Sequence, residues 1–225
     1  MATPCEWTAI GVSWSSILAD VARYVRERLL RWQIAALWVL LVLALVVASP
    51  GWPPAGLAAA AGFLAVAVAV LRLWDDLADL GHDRIVHPAR VLVAAGDVRL
   101  FAVLVGIGLL LLAGWCAGDV RRVALYASLL AVLAVLYHSR PGQQLGRTLR
   151  ACLVLVKYPV LVLLAGAAPS GRTWLTGLLL YAVLGIYEWR SDGELRVAPL
   201  NQVLLGGVSG LALISIVFVT AGARP

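Results

Sequence analysis

Apolar runs long enough to cross the hydrocarbon core of a bilayer recur along this chain, at 33–49, 55–74, 99–117, 122–138, 149–168, 173–188 and 199–221. A water-soluble fold has no means of burying so many such runs, because each needs apolar surroundings on every side. Of the 225 residues, 62% are hydrophobic and only 13% are charged, and the mean hydropathy is +0.93. The expected fold is therefore all-α: a polytopic transmembrane bundle of about seven spans over residues 33–225, with no sizeable soluble appendage. Residues 14–32 read as an amphipathic helix, with Leu18, Val21, Val25, Leu29 and Trp32 at helical spacing and Arg23, Arg26 and Arg28 elsewhere on the wheel. An N-terminal interfacial segment over 1–32 follows from this pattern. Its charged stretch is too long for a signal peptide, and Pro50 follows the apolar run.

The formal net charge of +6 comes almost wholly from arginine, with Lys157 the only lysine. In a soluble chain that balance would suggest nucleic acid. In a membrane chain it marks loops held at the anionic inner leaflet, so the expected partner is the lipid bilayer and no nucleic acid. With the N-terminus inside, the inner segments hold Arg23, Arg26, Arg28, Arg31, Arg72, Arg84, Arg90, Arg99, Arg140, Arg147, Arg150, Arg190 and Arg196, and the outer ones only Arg121, Arg122, Arg172 and Arg224. The positive-inside rule therefore predicts a cytoplasmic N-terminus, and seven spans put the C-terminus outside. Cys5, Cys116 and Cys152 lack metal-ligand spacing and read as free, structural thiols.

The carboxylates are unevenly spread. Asp75, Asp76, Asp79 and Asp83 follow the second span, and Glu188, Asp192 and Glu194 follow the sixth. Both clusters fall on the face expected to be cytoplasmic, beside Trp74 and Trp189. If the second helix runs on past Trp74, positions 76, 79 and 83 lie within about 60° of one another on the wheel. Glu188 and Asp192, four apart, also share a face. Like charges so placed destabilise a bare helix. Oxygen-only donors without cysteine suit a hard divalent cation such as Mg2+, which commonly bridges protein carboxylates to substrate phosphates. The plain alternative is a solvated acidic loop, but inner loops are usually basic and the pattern occurs twice.

At these residues the chain resembles the UbiA superfamily of intramembrane prenyltransferases, over about residues 17–215. "DDLADLGHD" carries Asp76, Asp79 and Asp83 in register with the family's Asn-Asp-x-x-Asp-x-x-x-Asp motif, with Asp75 in the asparagine place. "RIVHPARVL" is similar to the Arg-rich segment that follows it. "EWRSD" matches the second motif, Asp-x-x-x-Asp, with Glu188 for the first Asp and Asp192 for the second. "YHSR" is close to a third element, Tyr-x-x-x-Lys, but Tyr137 and Arg140 are one residue too near and arginine stands for lysine. The family usually has nine helices, two more than the runs found here.

The resemblance implies that Asp75, Asp76, Asp79, Asp83, Glu188 and Asp192 hold Mg2+ ions that grip a prenyl diphosphate. The prenyl group would then be transferred to an acceptor that the sequence does not name. It implies catalytic roles for Asp76, Asp79, Asp83, Asp192 and Lys157. Cations for the diphosphate would come from Arg72, Arg84, Arg140, Arg147 and Lys157. Arg72 and Arg90 read equally well as headgroup anchors. Lys157 sits mid-span in "LVLVKYPVLV", where a charge is costly and usually faces a bundle interior or an aqueous cavity. Tyr137, Tyr158 and Tyr187 are expected to contact substrate, with Trp74 and Trp189 beside them, through faces that stabilise a cation or as part of the interfacial aromatic belt. His82 and His87 lack zinc partners and read as surface residues. Two other readings remain: a terpene cyclase of the same superfamily, and a divalent-cation carrier or channel. The carrier needs polar groups across the midplane, and apart from Lys157 the spans are apolar between their ends.

Overall fold

The structure, a computed structural model, describes residues 14–95, 97–191 and 193–222. The first thirteen residues of the expected interfacial segment thus lie outside the described part. Among the described residues every regular element is helical. Helix α1 (Trp14–Tyr24) runs into a π-helical turn, Val25–Leu29, and α2 (Trp32–Ala48) follows. The stretch Leu18–Leu29 and α2 are bent by 64° relative to each other. Next come α3 (Pro54–Ala78), α4 (Leu80–Val86), α5 (Val91–Ala94), α6 (Val98–Cys116) and α7 (Val120–His138). After these lie α8 (Arg140–Gln144), α9 (Arg147–Leu155), α10 (Lys157–Ala165), α11 (Gly171–Ser191), α12 (Gly193–Val197) and α13 (Leu200–Gly222).

Five helical stretches are long and apolar enough to cross a membrane, and six if the bent pair counts as one span. All seven expected runs are helical, but two are marginal. Helix α2 has only 17 residues. Helix α11 has 21 but carries Arg172, Glu188 and Arg190. Large apolar side chains such as Leu110 on α6 and Val219 on α13 are exposed. On an integral membrane protein such surface meets lipid.

Local chemistry accounts for the helix limits. Pro54 opens α3 at its first position, where the missing N–H costs nothing. Asp97 and Asp119, two carboxylates outside the clusters, cap α6 and α7 by accepting from the backbone N–H of Arg99 (2.8 Å) and Arg121 (2.9 Å). Pro159 lacks the N–H that would bond Leu155, and its ring crowds that carbonyl. The expected span 149–168 accordingly breaks at Val156 into α9 and α10.

Helix α10 is the axis of the bundle. Lys157 and Pro159 through Ala165 are all buried, and α10 contacts α2, α3, α7, α11 and α13. Its C-terminal Gly166 has φ +125°, and a Cβ there would fall 2.6 Å from the Trp52 ring, so the cap needs glycine on both counts. Around this axis α3 packs on α6, where Gly108 leaves room for Val70, and α9 packs on α13. Indole and phenol groups find backbone carbonyls across helices, as in Trp38 Nε1 to Ala61 O (2.9 Å) and Trp115 Nε1 to Leu164 O (3.1 Å). In hydrocarbon, where water cannot satisfy them, such donors need protein partners.

Candidate functional site

The first acidic cluster does not form the continuous stripe expected from an unbroken helix. Helix α3 ends at Ala78, Asp79 occupies a turn, and α4 begins at Leu80. The four carboxylates are drawn to partners on different elements. The reason is electrostatic: each buried charge needs its own compensation, and repulsion along the helix is relieved by dispersing the cluster.

Asp75 faces the bundle axis. One of its oxygens takes the Lys157 ammonium and the other accepts from the Tyr137 hydroxyl. Lys157 is only 1% exposed and its Nζ also lies 5.2 Å from the centre of the Tyr158 ring. The break at Val156 puts this lysine in the first turn of α10. Trp74 stands edge-on to Tyr137 and donates to His138 Nε2 (3.2 Å).

Asp76, one position round the helix, turns to the N-terminal segment. Arg28 grips it with two bonds, Nη2 to Oδ1 at 2.6 Å and Nε to Oδ2 at 3.0 Å. Tyr24 donates to Oδ2 (3.0 Å), and Arg72, one turn back on α3, lies 3.1 Å from Oδ1. Paired forks of this kind combine charge with directional hydrogen bonding. Asp79 is half exposed and meets Arg150 on α9 at 3.3 Å. Asp83 is buried, and Arg90 Nη1 lies 2.5 Å from both its oxygens, closing the loop after α4. Arg72 and Arg90 are therefore ion-pair partners of aspartates rather than plain headgroup anchors.

A cavity of about 400 Å³ opens beside Asp76. Arg28, Arg31, Arg72 and Glu188 line one part of it, and Leu37, Leu40, Val68 and Leu184 another. Helix register orders these two sets. Val68 precedes Arg72 by one turn, Leu184 precedes Glu188 by one turn, and Leu37 and Leu40 follow Arg31 inward along α2. The charged residues share one end of the cavity and the apolar ones lie deeper. Tyr158 and Tyr187 also line it. Glu188 of the second cluster thus reaches the cavity whose arginines hold Asp76, and Asp75, Lys157, Arg72 and Glu188 all lie within electrostatic reach of Tyr158.

Not every expected residue gathers here. Lys157 lines neither this cavity nor a second one between α9, α11 and α13, on another face of α11; its charge is taken up by Asp75. Arg84 and Arg140 are exposed and line neither cavity. Asp192 lies outside the described residues, as do the side chains of Arg147 and Glu194. Sequence reasoning missed Tyr24, Arg28, Arg31 and Arg150 as site components. A signal existed for Arg28: it falls four residues after Tyr24 and three after Val25, at the border of the apolar stripe, whereas Arg23 and Arg26 lie well away from it.

Among the described residues, no three His, Cys, Asp or Glu side chains converge on one point as a closed metal cage would require. A Mg2+ ion that arrives with a diphosphate needs only one or two carboxylates and keeps several waters. Of the oxygen donors at the end of α3, Asp79, half exposed, fits that chemistry, whereas both oxygens of Asp75, Asp76 and Asp83 are taken by other side chains. No family model, curated protein or solved structure matches this chain.

Proposed function

We propose that this protein is a Mg2+-dependent intramembrane prenyltransferase of the UbiA kind, which ionises a prenyl diphosphate and passes the prenyl group to an acceptor. The observation that carries the reading is the cavity with arginines at one end and leucine and valine further in. A prenyl diphosphate has that polarity: a concentrated anion joined to an apolar chain. Arg28, Arg31 and Arg72 bind the diphosphate, since guanidinium forks match phosphate oxygens. Asp76 holds two of those arginines in place through both its oxygens, and Asp79, half exposed on the following turn, is the carboxylate that would hold Mg2+. Bound there, the metal would neutralise charge on the departing diphosphate.

Leu37, Leu40, Val68 and Leu184 house the chain and keep water from the allylic cation. Tyr158 and Tyr187, both in the cavity wall, are the aromatic residues that would stabilise it. Lys157 and Asp75 are positioning residues: they tie α3 to α10 and set the Tyr158 ring. Seven spans with the N-terminus and both acidic helix ends at the cytoplasmic face fit the arginine imbalance. Cysteine labelling from one side at Gly81 and Glu194, and from the other at Ser170, checks that topology.

The direct test incubates the purified protein with Mg2+ and prenyl diphosphates of several lengths, following diphosphate release and organic products together. Release with at least one chain length is expected. An absence of both binding and release at every length would overturn the proposal. A cyclised hydrocarbon formed without acceptor would reassign the chemistry to a terpene cyclase.

A further inference from the structure

Tyr24 is the last residue of α1 and is only 3% exposed, although its neighbours Arg23 and Val25 are not buried. Its ring meets Phe101 of α6 edge-on, with centroids 5.6 Å apart, and its hydroxyl reaches α3 to donate to Asp76 Oδ2 at 3.0 Å. One side chain thus pegs the N-terminal segment to two helices of the bundle. Beyond it the chain passes through the π-helical turn, closed by the bond from Leu30 N to Val25 O (2.8 Å), and presents Arg28 and then Arg31 to the arginine-lined cavity. Tyr24 itself does not line that cavity.

We propose that Tyr24 is a positioning residue for anion binding in this cavity: its hydroxyl satisfies Asp76, so that Arg28 keeps donors for the diphosphate. The proposal rests on the cavity being the prenyl diphosphate site. A carboxylate offers about four lone-pair sites, and at Asp76 two donors arrive at each oxygen. Arg28 Nη2 and Arg72 Nη2 share Oδ1, while Arg28 Nε and the Tyr24 hydroxyl share Oδ2. Asp76 is buried, so an acceptor left vacant there is costly. Without the phenol, the group already in contact with Oδ2 is Arg28, and Arg72 lies at the other oxygen. Each Arg28 N–H turned further toward Asp76 is turned away from an incoming anion. The phenol fills the position without adding charge. Its ring is held against Phe101, so the carboxylate keeps one orientation and the Arg28 fork keeps its own. Tyr24 therefore acts through Arg28 and not on the substrate.

The test uses the full-length protein in phosphatidylcholine nanodiscs with Mg2+. Equilibrium binding is measured for geranyl, farnesyl and geranylgeranyl diphosphates, and the variants are compared on the one that wild type binds tightest. Tyr24→Phe keeps the ring and removes the donor. It should weaken binding about tenfold, the scale of a hydrogen bond to a charged group. Incorporating 4-aminophenylalanine at position 24 returns a donor to the same place and should restore affinity to within about twofold of wild type. Because the effect passes through Arg28, adding Tyr24→Phe to Arg28→Gln should weaken binding by less than about twofold more. A residue that only stabilised the fold would give losses that multiply. Undiminished binding by Tyr24→Phe, no recovery with 4-aminophenylalanine, or multiplying losses would each overturn the Tyr24 assignment and leave the donor reading standing. If wild type binds none of the three diphosphates, the donor reading falls, and the Tyr24 assignment falls with it.

Discussion

Asp75 and Asp76 are neighbours in sequence and opposites in setting. Asp75 points to the bundle axis, where Lys157 and Tyr137 meet its two oxygens and neither lines a described cavity. Asp76 points to the N-terminal segment, where its partners Arg28 and Arg72 are themselves cavity walls. The first centre is closed, and its charges can only serve each other. The second is open on one side, so its arginines can turn part of their hydrogen bonding toward an incoming anion. The same residue type, one position apart, therefore divides into a structural pin and a binding element.

The sharpest way to break this contrast is to remove Lys157. Loss of one partner from a buried ion pair strands the other, at a cost of about 3–5 kcal/mol. Lys157→Met should lower stability by that order in detergent unfolding, and Lys157→Met with Asp75→Asn should recover most of it. A single variant as stable as wild type would show that Asp75 is not a pin. Asp76→Asn tests the other centre. It should reduce diphosphate release by about a hundredfold or more, equivalent to roughly 2.7 kcal/mol of barrier, while the protein remains folded by gel filtration and circular dichroism. Undiminished release would remove Asp76 from the site.

Arg28→Gln should have a smaller, more specific effect. It keeps a hydrogen bond to Asp76 but loses the charge offered to the diphosphate, so KM for prenyl diphosphate should rise about tenfold with kcat little changed. A fall in kcat at constant KM would mean that Arg28 acts in the chemical step instead. The least effect belongs to Arg150→Gln. Its partner Asp79 is half exposed, and pairs in that setting contribute about 0–1 kcal/mol. A larger loss of stability would place the Arg150–Asp79 pair with the pins.

The amino-acid sequence by itself determined that the chain is helical and lives in a bilayer, because apolar run length and the need to satisfy backbone groups in hydrocarbon leave few other choices. It also marked the helix ends where acid accumulates, since carboxylates against a basic background stand out without any knowledge of contacts. The caps at Asp97 and Asp119 and the break before Pro159 are local events and follow from neighbouring residues. Only the tertiary structure decided which carboxylate meets which cation. Arg28 and Asp76 are 48 positions apart, and Asp75 and Lys157 are 82 apart, and no local periodicity encodes pairings across helices. The helical wheel predicted one shared face for Asp76, Asp79 and Asp83 because it assumes an unbroken helix and ignores neighbours. The turn at Asp79, together with arginines arriving from the π-helical turn, from α9 and from Arg90, separated them. The partition of two cavities by α11 was equally invisible, because it depends on what packs against each side of a helix rather than on the helix itself.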